Sequence, residues 1–160
     1  MRAQYALRNS PELRLDPNPD VIMWIKGADF RASFEVGMAR IIIADDDELV
    51  GEMARDALIA AGHGAGLVSN GADALAIVKA RRPDLLILDC NMPEISGVLL
   101  VQELRKMPEY ADLPVMMLTG RRSERDEELA RFAGANDYMK KPFDPDELVF
   151  RVEELLAAQR

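Results

Sequence analysis

The sequence predicts an α/β protein whose residues 38–160 form a doubly wound, five-stranded parallel sheet with a helix after each strand. Three observations predict it. Apolar runs of strand length recur five times between Arg40 and Lys141. After each run, apolar residues return every three or four positions, the period of a helix packed on one side. The runs themselves, "RIIIA" and "DLLILD" above all, are apolar throughout rather than alternating, as expected where helices cover both faces of a parallel sheet.

The elements follow in order. "RIIIA" (40–44) is β-branched and short, a buried strand. "ELVGEMARDALIAA" carries apolar residues at 49/50, 53/54, 57/58 and 61, a helical stripe that "GHG" ends. "GLVS" (66–69) reads as the second strand, and "GADALAIVKARR" as a helix with Ala74, Leu75 and Val78 on one face. "DLLILD" (84–89) is the third strand; "SGVLLVQELRKM" is a helix with Leu100, Val101 and Leu104 inward. "PVMMLT" (114–119) is the fourth strand, followed by "SERDEELARFAGA", a polar helix with a thin apolar stripe. "NDYMKK" (136–141) is the fifth strand. The last helix opens on Asp144–Pro145–Asp146–Glu147, which reads as N-cap, N1, N2 and N3 of a capping box, with Leu148, Val152 and Leu155 inward.

The bulk properties narrow the function. A chain of 160 residues holds one domain with a sizeable core. Its net charge of −8 makes this domain alone a poor phosphate-backbone binder, which needs clustered positive charge. Its apolar runs fall short of the roughly 18 residues of a membrane span. No secretory signal is visible at the N-terminus, and the single cysteine, Cys90, cannot close an intrachain disulfide. A cytoplasmic setting is therefore expected. Residues 1–37 differ from the rest. They hold "NSPELRLDPNPD", which breaks regular structure, then "VIMWI" and "FRASFEV", material for a short hairpin. They are neutral, so the acidic charge lies in residues 38–160. They are expected to be a poorly ordered extension or an early start, with a docking arm as the alternative.

An open doubly wound sheet binds its ligand at the carboxyl ends of its strands, where strand order reverses. The predicted strand ends carry Asp45 and Asp46, then Asp89, Thr119 and Lys141. Three carboxylates in one place need a cation, and an all-oxygen set selects a hard one such as Mg²⁺. A lysine opposite them suits a phosphoryl group.

Four motifs in register, "IIIADDD", "DLLILDCNMPEISG", "PVMMLTG" and "YMKKPF", give residues 38–160 their identity. The chain resembles the receiver domain of two-component response regulators, of the single-domain, chemotaxis type. The resemblance implies a (βα)5 flavodoxin-like fold. It implies that Asp89 is the phospho-acceptor, taking its phosphoryl group from a sensor histidine kinase or a phosphotransfer protein. It implies Mg²⁺ held by Asp45, Asp46, Asp89 and the backbone carbonyl of Asn91. Thr119 matches the hydroxyl that bonds the phosphoryl group, and Lys141, before the proline of a cis peptide bond, matches the lysine that pairs with it. Tyr138 matches the switch aromatic, and Arg121 a position that tunes dephosphorylation. The implied output is a surface of the fourth helix, fifth strand and fifth helix that meets a downstream target protein, as a monomer or a phosphorylation-dependent dimer. The implied chemistry is Mg²⁺-dependent self-phosphorylation and autodephosphorylation, with no other enzymatic turnover.

Plainer readings stand beside these. Asp47 and Glu48 are expected to be helix-start acids rather than ligands. Lys140 is expected to face solvent, and Cys90 to be inert. Thr119 could simply end a strand, and Tyr138 could be packing alone. His63, between two glycines after a helix and expected to have no nearby acid or helical face, is not expected to carry phosphate. A phosphatase with an aspartate nucleophile would need a second acid two residues on, where this chain has Asn91. The remaining alternatives are a receiver piece of a longer regulator or hybrid kinase, and a receiver-like module that is not phosphorylated.

Overall fold

The computed structural model describes residues 38–120 and 124–159. The expected N-terminal hairpin and Arg121 lie outside the described residues. Five strands, β1 (Arg40–Ala44), β2 (Gly64–Val68), β3 (Leu85–Asp89), β4 (Val115–Thr119) and β5 (Asp137–Lys140), form one sheet in the order β2-β1-β3-β4-β5. All four pairings are parallel. Between them run α1 (Glu48–Ala60), α2 (Gly71–Arg81), α3 (Gly97–Lys106), α4 (Glu124–Ala133) and, last, α5 (Pro145–Ala157). A single 3₁₀ turn, Pro108–Tyr110, joins α3 to β4. This is the expected doubly wound α/β fold.

The uninterrupted apolar strands fill two cores, one per sheet face. Ile42, Ala44, Leu86, Leu88, Val115 and Met117 face α2, α3 and α4, joined by Ala74, Val78, Leu100, Val101, Leu104 and Ala130. Their strand neighbours Ile41, Ile43, Leu85, Ile87, Met116 and Leu118 face α1 and α5, joined by Ala54, Leu58, Leu148 and Val152. Successive strand residues point to opposite faces, so a run must be apolar at every position to feed both.

Two expectations are corrected in detail. The second strand is Gly64–Val68, not 66–69, because Gly64 N–H bonds to the Ala39 carbonyl at 2.9 Å and pairs with Arg40. Glycines disfavour strands, and pairing with β1 overrides that preference. The cap of α5 is real: the Asp144 carboxylate accepts from Asp146 N–H at 2.8 Å. The capping box does not close; the Glu147 carboxylate instead accepts from Arg151 at 2.8 Å, one turn on. The thin apolar stripe of α4 is as expected: among its described residues Ala130 and Ala133 reach the core, while Phe132 is 88% exposed.

The opposite edge of the sheet is clamped by Arg105 of α3. Its guanidinium donates to the carbonyls of Gly134 (3.0 Å) and Tyr110 (3.1 Å) and to Asn136 Oδ1 (2.9 Å). Asn136 Oδ1 also accepts from Val115 N–H at 2.8 Å, so one side chain ties α3, the end of α4 and β4 together.

Candidate functional site

β1 and β3 are neighbours, yet the chain leaves β1 toward β2 on one side and returns through β3 on the other. The crevice at this reversal is where a doubly wound sheet accepts a ligand. Asp45 follows β1 directly, and Asp89 is the last residue of β3. Both are buried, while Asp46 is exposed. Carboxylate oxygens from Asp45, Asp46 and Asp89 lie within 4.8 Å of one another. Lys141, directly after β5, reaches back across β4 to place its ammonium 2.6 Å from Asp45 Oδ2 and 3.3 Å from Asp89 Oδ1. The Lys141–Pro142 bond is cis, as the resemblance implies.

Each acid has a separate task. Asp45 Oδ1 accepts from Asp47 N–H at 2.9 Å, tying the start of α1 to the end of β1. Asp45 Oδ2 is buried and accepts no well-aligned hydrogen bond; the Lys141 ammonium compensates its charge. Asp47 is the N-cap of α1, accepting from Val50 N–H at 3.3 Å, and Glu48 sits in the first turn. The acid run therefore divides as expected, with Asp47 and Glu48 serving the helix start.

Charge at this edge is balanced by opposing effects. Burial raises the Asp89 carboxyl from its ordinary 3.8 to about 6, while Lys141 pulls it down and Asp45 and Asp46 push it further up. Burial works against the Lys141 ammonium, but Asp45 and Asp89 outweigh it and hold its pKa above the usual value. A divalent cation would complete this balance. The donors are all oxygens and converge within 4.8 Å of one another, which suits a hard ion. The residues therefore fit Mg²⁺.

Of the residues singled out in sequence, Asp45, Asp46, Asp89 and Lys141 come together. Thr119, the last residue of β4, stands buried on the same edge, with its hydroxyl donating to the Met139 carbonyl at 3.4 Å. Asn91 lies exposed in the loop after β3. Tyr138 is half-buried on β5. Its hydroxyl accepts from Arg131 of α4 at 2.8 Å, and the same guanidinium stands 4.9 Å from its ring centre. Lys140 is mostly exposed, 3.8 Å from Glu127. Cys90 is buried.

Sequence reasoning missed three features. Arg131 is one; it meets Tyr138 across two elements, and no spacing rule marks such a pair. Glu153 is the second: α5 brings its carboxylate to 3.5 Å from His63 Nε2, so the histidine does have an acid beside it. Gly97 is the third. A Cβ there would stand far inside 3.0 Å of the Asp89 carbonyl oxygen and 3.0 Å from Met117 Cε. Only glycine lets α3 start against the backbone of Asp89. The signal was a glycine directly after the Ser96 N-cap, a poor choice for helix formation alone.

Comparison with known proteins agrees with this geometry. Residues 41–153 match the model of the response regulator receiver domain. Over 117 residues, 73% of the chain, the sequence is 37% identical to the transcriptional regulatory protein BaeR of Escherichia coli, covering 48% of that protein. It is 39% identical over the same length to the response regulator MprA of Mycobacterium leprae, covering 50% of it. The match thus spans about half the length of these relatives. The fold superimposes on chemotaxis response regulator CheY4 of Vibrio cholerae with TM-score 0.69 and 30% identity, covering 74% of this chain and 98% of that one.

Proposed function

We infer, from the premise that this chain belongs to the response regulator receiver domain family, that Asp89 is a phospho-acceptor in a two-component phosphorelay. The observation that carries the reading is the Lys141 ammonium set between Asp45 Oδ2 at 2.6 Å and Asp89 Oδ1 at 3.3 Å, at the reversal of strand order. A fixed positive charge beside a buried carboxylate supports reading Asp89 as the nucleophile.

An Asp89 oxygen attacks the phosphorus of a phosphohistidine on a sensor kinase or phosphotransfer protein. The new O–P bond forms as the P–N bond breaks, and the bonding pair leaves with the imidazole. Two anions must approach, so the work is positioning and charge stabilisation. Lys141 stabilises the phosphoryl oxygens on one side. Asp45, Asp46, Asp89 and the Asn91 carbonyl would hold Mg²⁺, which would supply the remaining charge neutralisation. The chain catalyses only its own phosphorylation and dephosphorylation.

The output is a shift between two states. Thr119 leaves the Met139 carbonyl for the new phosphoryl oxygens, and Tyr138 leaves Arg131 and turns inward. The surface that changes is α4, β5 and α5. Phe132 at 88% exposure and Phe150 at 60% suit contact with a target protein there, and the −8 charge suits protein rather than nucleic acid. The setting is cytoplasmic, and the protein is a monomer or a phosphorylation-dependent dimer.

The test is phosphorylation by acetyl phosphate with Mg²⁺, read as one added phosphate by intact mass and as hydroxylamine-labile label. The parent gains the phosphate and Asp89→Asn does not; continued labelling of Asp89→Asn would overturn the assignment. A second reading, the receiver part of a larger regulator, is favoured by the half-length match to BaeR and MprA. The complete reading frame decides between them.

A further inference from the structure

We propose that Gly71, at the start of α2, is a positioning residue for the metal-binding edge. Its bare Cα lets α2 rest on the loop of residues 90–96 and hold Asn91 at the carboxylates. The inference rests on the reading of Asn91 as a carbonyl ligand.

A Cβ on Gly71 would fall far inside 3.0 Å of the Ile95 carbonyl oxygen, and 2.9 Å from both the Ile95 carbonyl carbon and its Cβ. The obstacle is backbone, which cannot swing aside as the end of a side chain can. The helix start is also fixed. The Asn70 side chain accepts from Asp73 N–H at 2.8 Å and donates to the Asp73 carboxylate at 2.8 Å.

The loop has little freedom to yield locally. Gly97 N–H closes it onto the Cys90 carbonyl at 3.2 Å, and Ile95 N–H bonds to the Pro93 carbonyl at 2.8 Å. Glu94 already holds a positive φ of 66°. Met92 is buried in the core behind it. A push at Ile95 therefore moves the loop as a unit, from Cys90 and Asn91 onward. Mg²⁺ demands near-ideal octahedral geometry, so a displacement of a few tenths of an ångström at one ligand weakens binding. Changes just outside the ligand shell typically cost 10- to 100-fold in metal affinity.

The experiment measures Mg²⁺ affinity of the full chain by titration calorimetry, with thermal unfolding in EDTA recorded alongside. Gly71→Ala is compared with Gly51→Ala. The latter overpacks α1 against the Leu67 side chain, whose Cδ1 would lie 2.5 Å from the new Cβ, and leaves the loop alone. Gly71→Ala is expected to bind Mg²⁺ about tenfold more weakly than the parent, whereas Gly51→Ala binds as the parent whatever its melting temperature. Affinity of Gly71→Ala within twofold of the parent overturns the proposal. If Gly71→Ala does not fold, Ile95→Gly is read instead. Because the Ile95 carbonyl persists in that variant, it is read together with Asn70→Ala, which removes the Asn70–Asp73 bonds that hold the helix start against the loop; unchanged affinity in both overturns the proposal. A parent that binds no Mg²⁺ overturns the metal reading and this inference with it. Parent-like binding by Gly71→Ala overturns this inference alone.

Discussion

At the scale of the residue, the acids of the site differ in what surrounds them. Asp89 sits buried beside two other carboxylates and one ammonium, and its carboxyl is raised to about 6. In the metal-free protein the folded state therefore binds more protons at Asp89 than the unfolded chain does between pH 3.8 and about 6. The sign follows: this group's contribution to stability declines as pH rises through that window and is level above it. The cost of ionising Asp89 is on the order of 1–2 kcal/mol once screening through the open side is allowed for. Asp89→Asn removes it. Chemical denaturation in EDTA should show this variant more stable than the parent at pH 7.5 and level with it at pH 4; equal stabilities at pH 7.5 would contradict the electrostatic account. The same reasoning separates the acid run. Asp46→Ala should abolish Mg²⁺-dependent labelling, and Glu48→Ala, in the first turn of α1, should keep it within about twofold, a difference below about 0.5 kcal/mol.

At the scale of the element, α4 shows how function and packing share one helix. Among its described residues it anchors by Ala130 and Ala133, and its guanidinium at Arg131 grips Tyr138 by a 2.8 Å hydrogen bond and from 4.9 Å over the ring. Glu127 steadies Arg131 at 3.3 Å, one turn away. An exposed cation–π contact is worth about 0.5–1 kcal/mol, so Arg131→Ala should shift Tyr138 toward its inward state about two- to fivefold. NMR of the Tyr138 ring in unphosphorylated protein measures that population. A ring environment identical to the parent's would show that α4 does not hold the switch. Little of this was legible in the sequence. Apolar period placed α3 with Leu100, Val101 and Leu104 inward, because consecutive residues set a helical stripe. Strand ends placed Asp45, Asp89 and Lys141 on one edge, because a parallel sheet aligns its carboxyl ends. Arg131 and Tyr138 meet through tertiary packing, Gly64 joins β2 by pairing with β1, and Glu147 chooses Arg151 over the helix start. Each of these depends on a partner that no local pattern names.

At the scale of the molecule, the two cores and the acidic edge oppose each other. The sheet buries Ile41 to Ala44 and Leu85 to Leu88 completely, and this apolar anchorage holds Asp45 and Asp89 closer than their charges favour. Two carboxylates about 4 Å apart repel by about 4 kcal/mol at an effective dielectric near 20, and one lysine offsets only part of that for three acids. A divalent cation that binds the folded edge and not the open chain must then stabilise the whole domain. At a free Mg²⁺ concentration 100 times its dissociation constant the gain is about 2.7 kcal/mol. For a domain of this size each kcal/mol moves the melting temperature by roughly 2–8 °C. Thermal unfolding followed by circular dichroism should therefore shift upward by at least about 5 °C with Mg²⁺. Na⁺ at equal ionic strength should do little, because screening alone cannot supply ligands. The shift should vanish in Asp46→Ala, survive in Glu48→Ala, and shrink in Gly71→Ala at a fixed Mg²⁺ concentration. A parent whose unfolding ignores Mg²⁺ would mean that the apolar anchorage and Lys141 alone suffice to hold the acids, and that the edge needs no metal to be what it is.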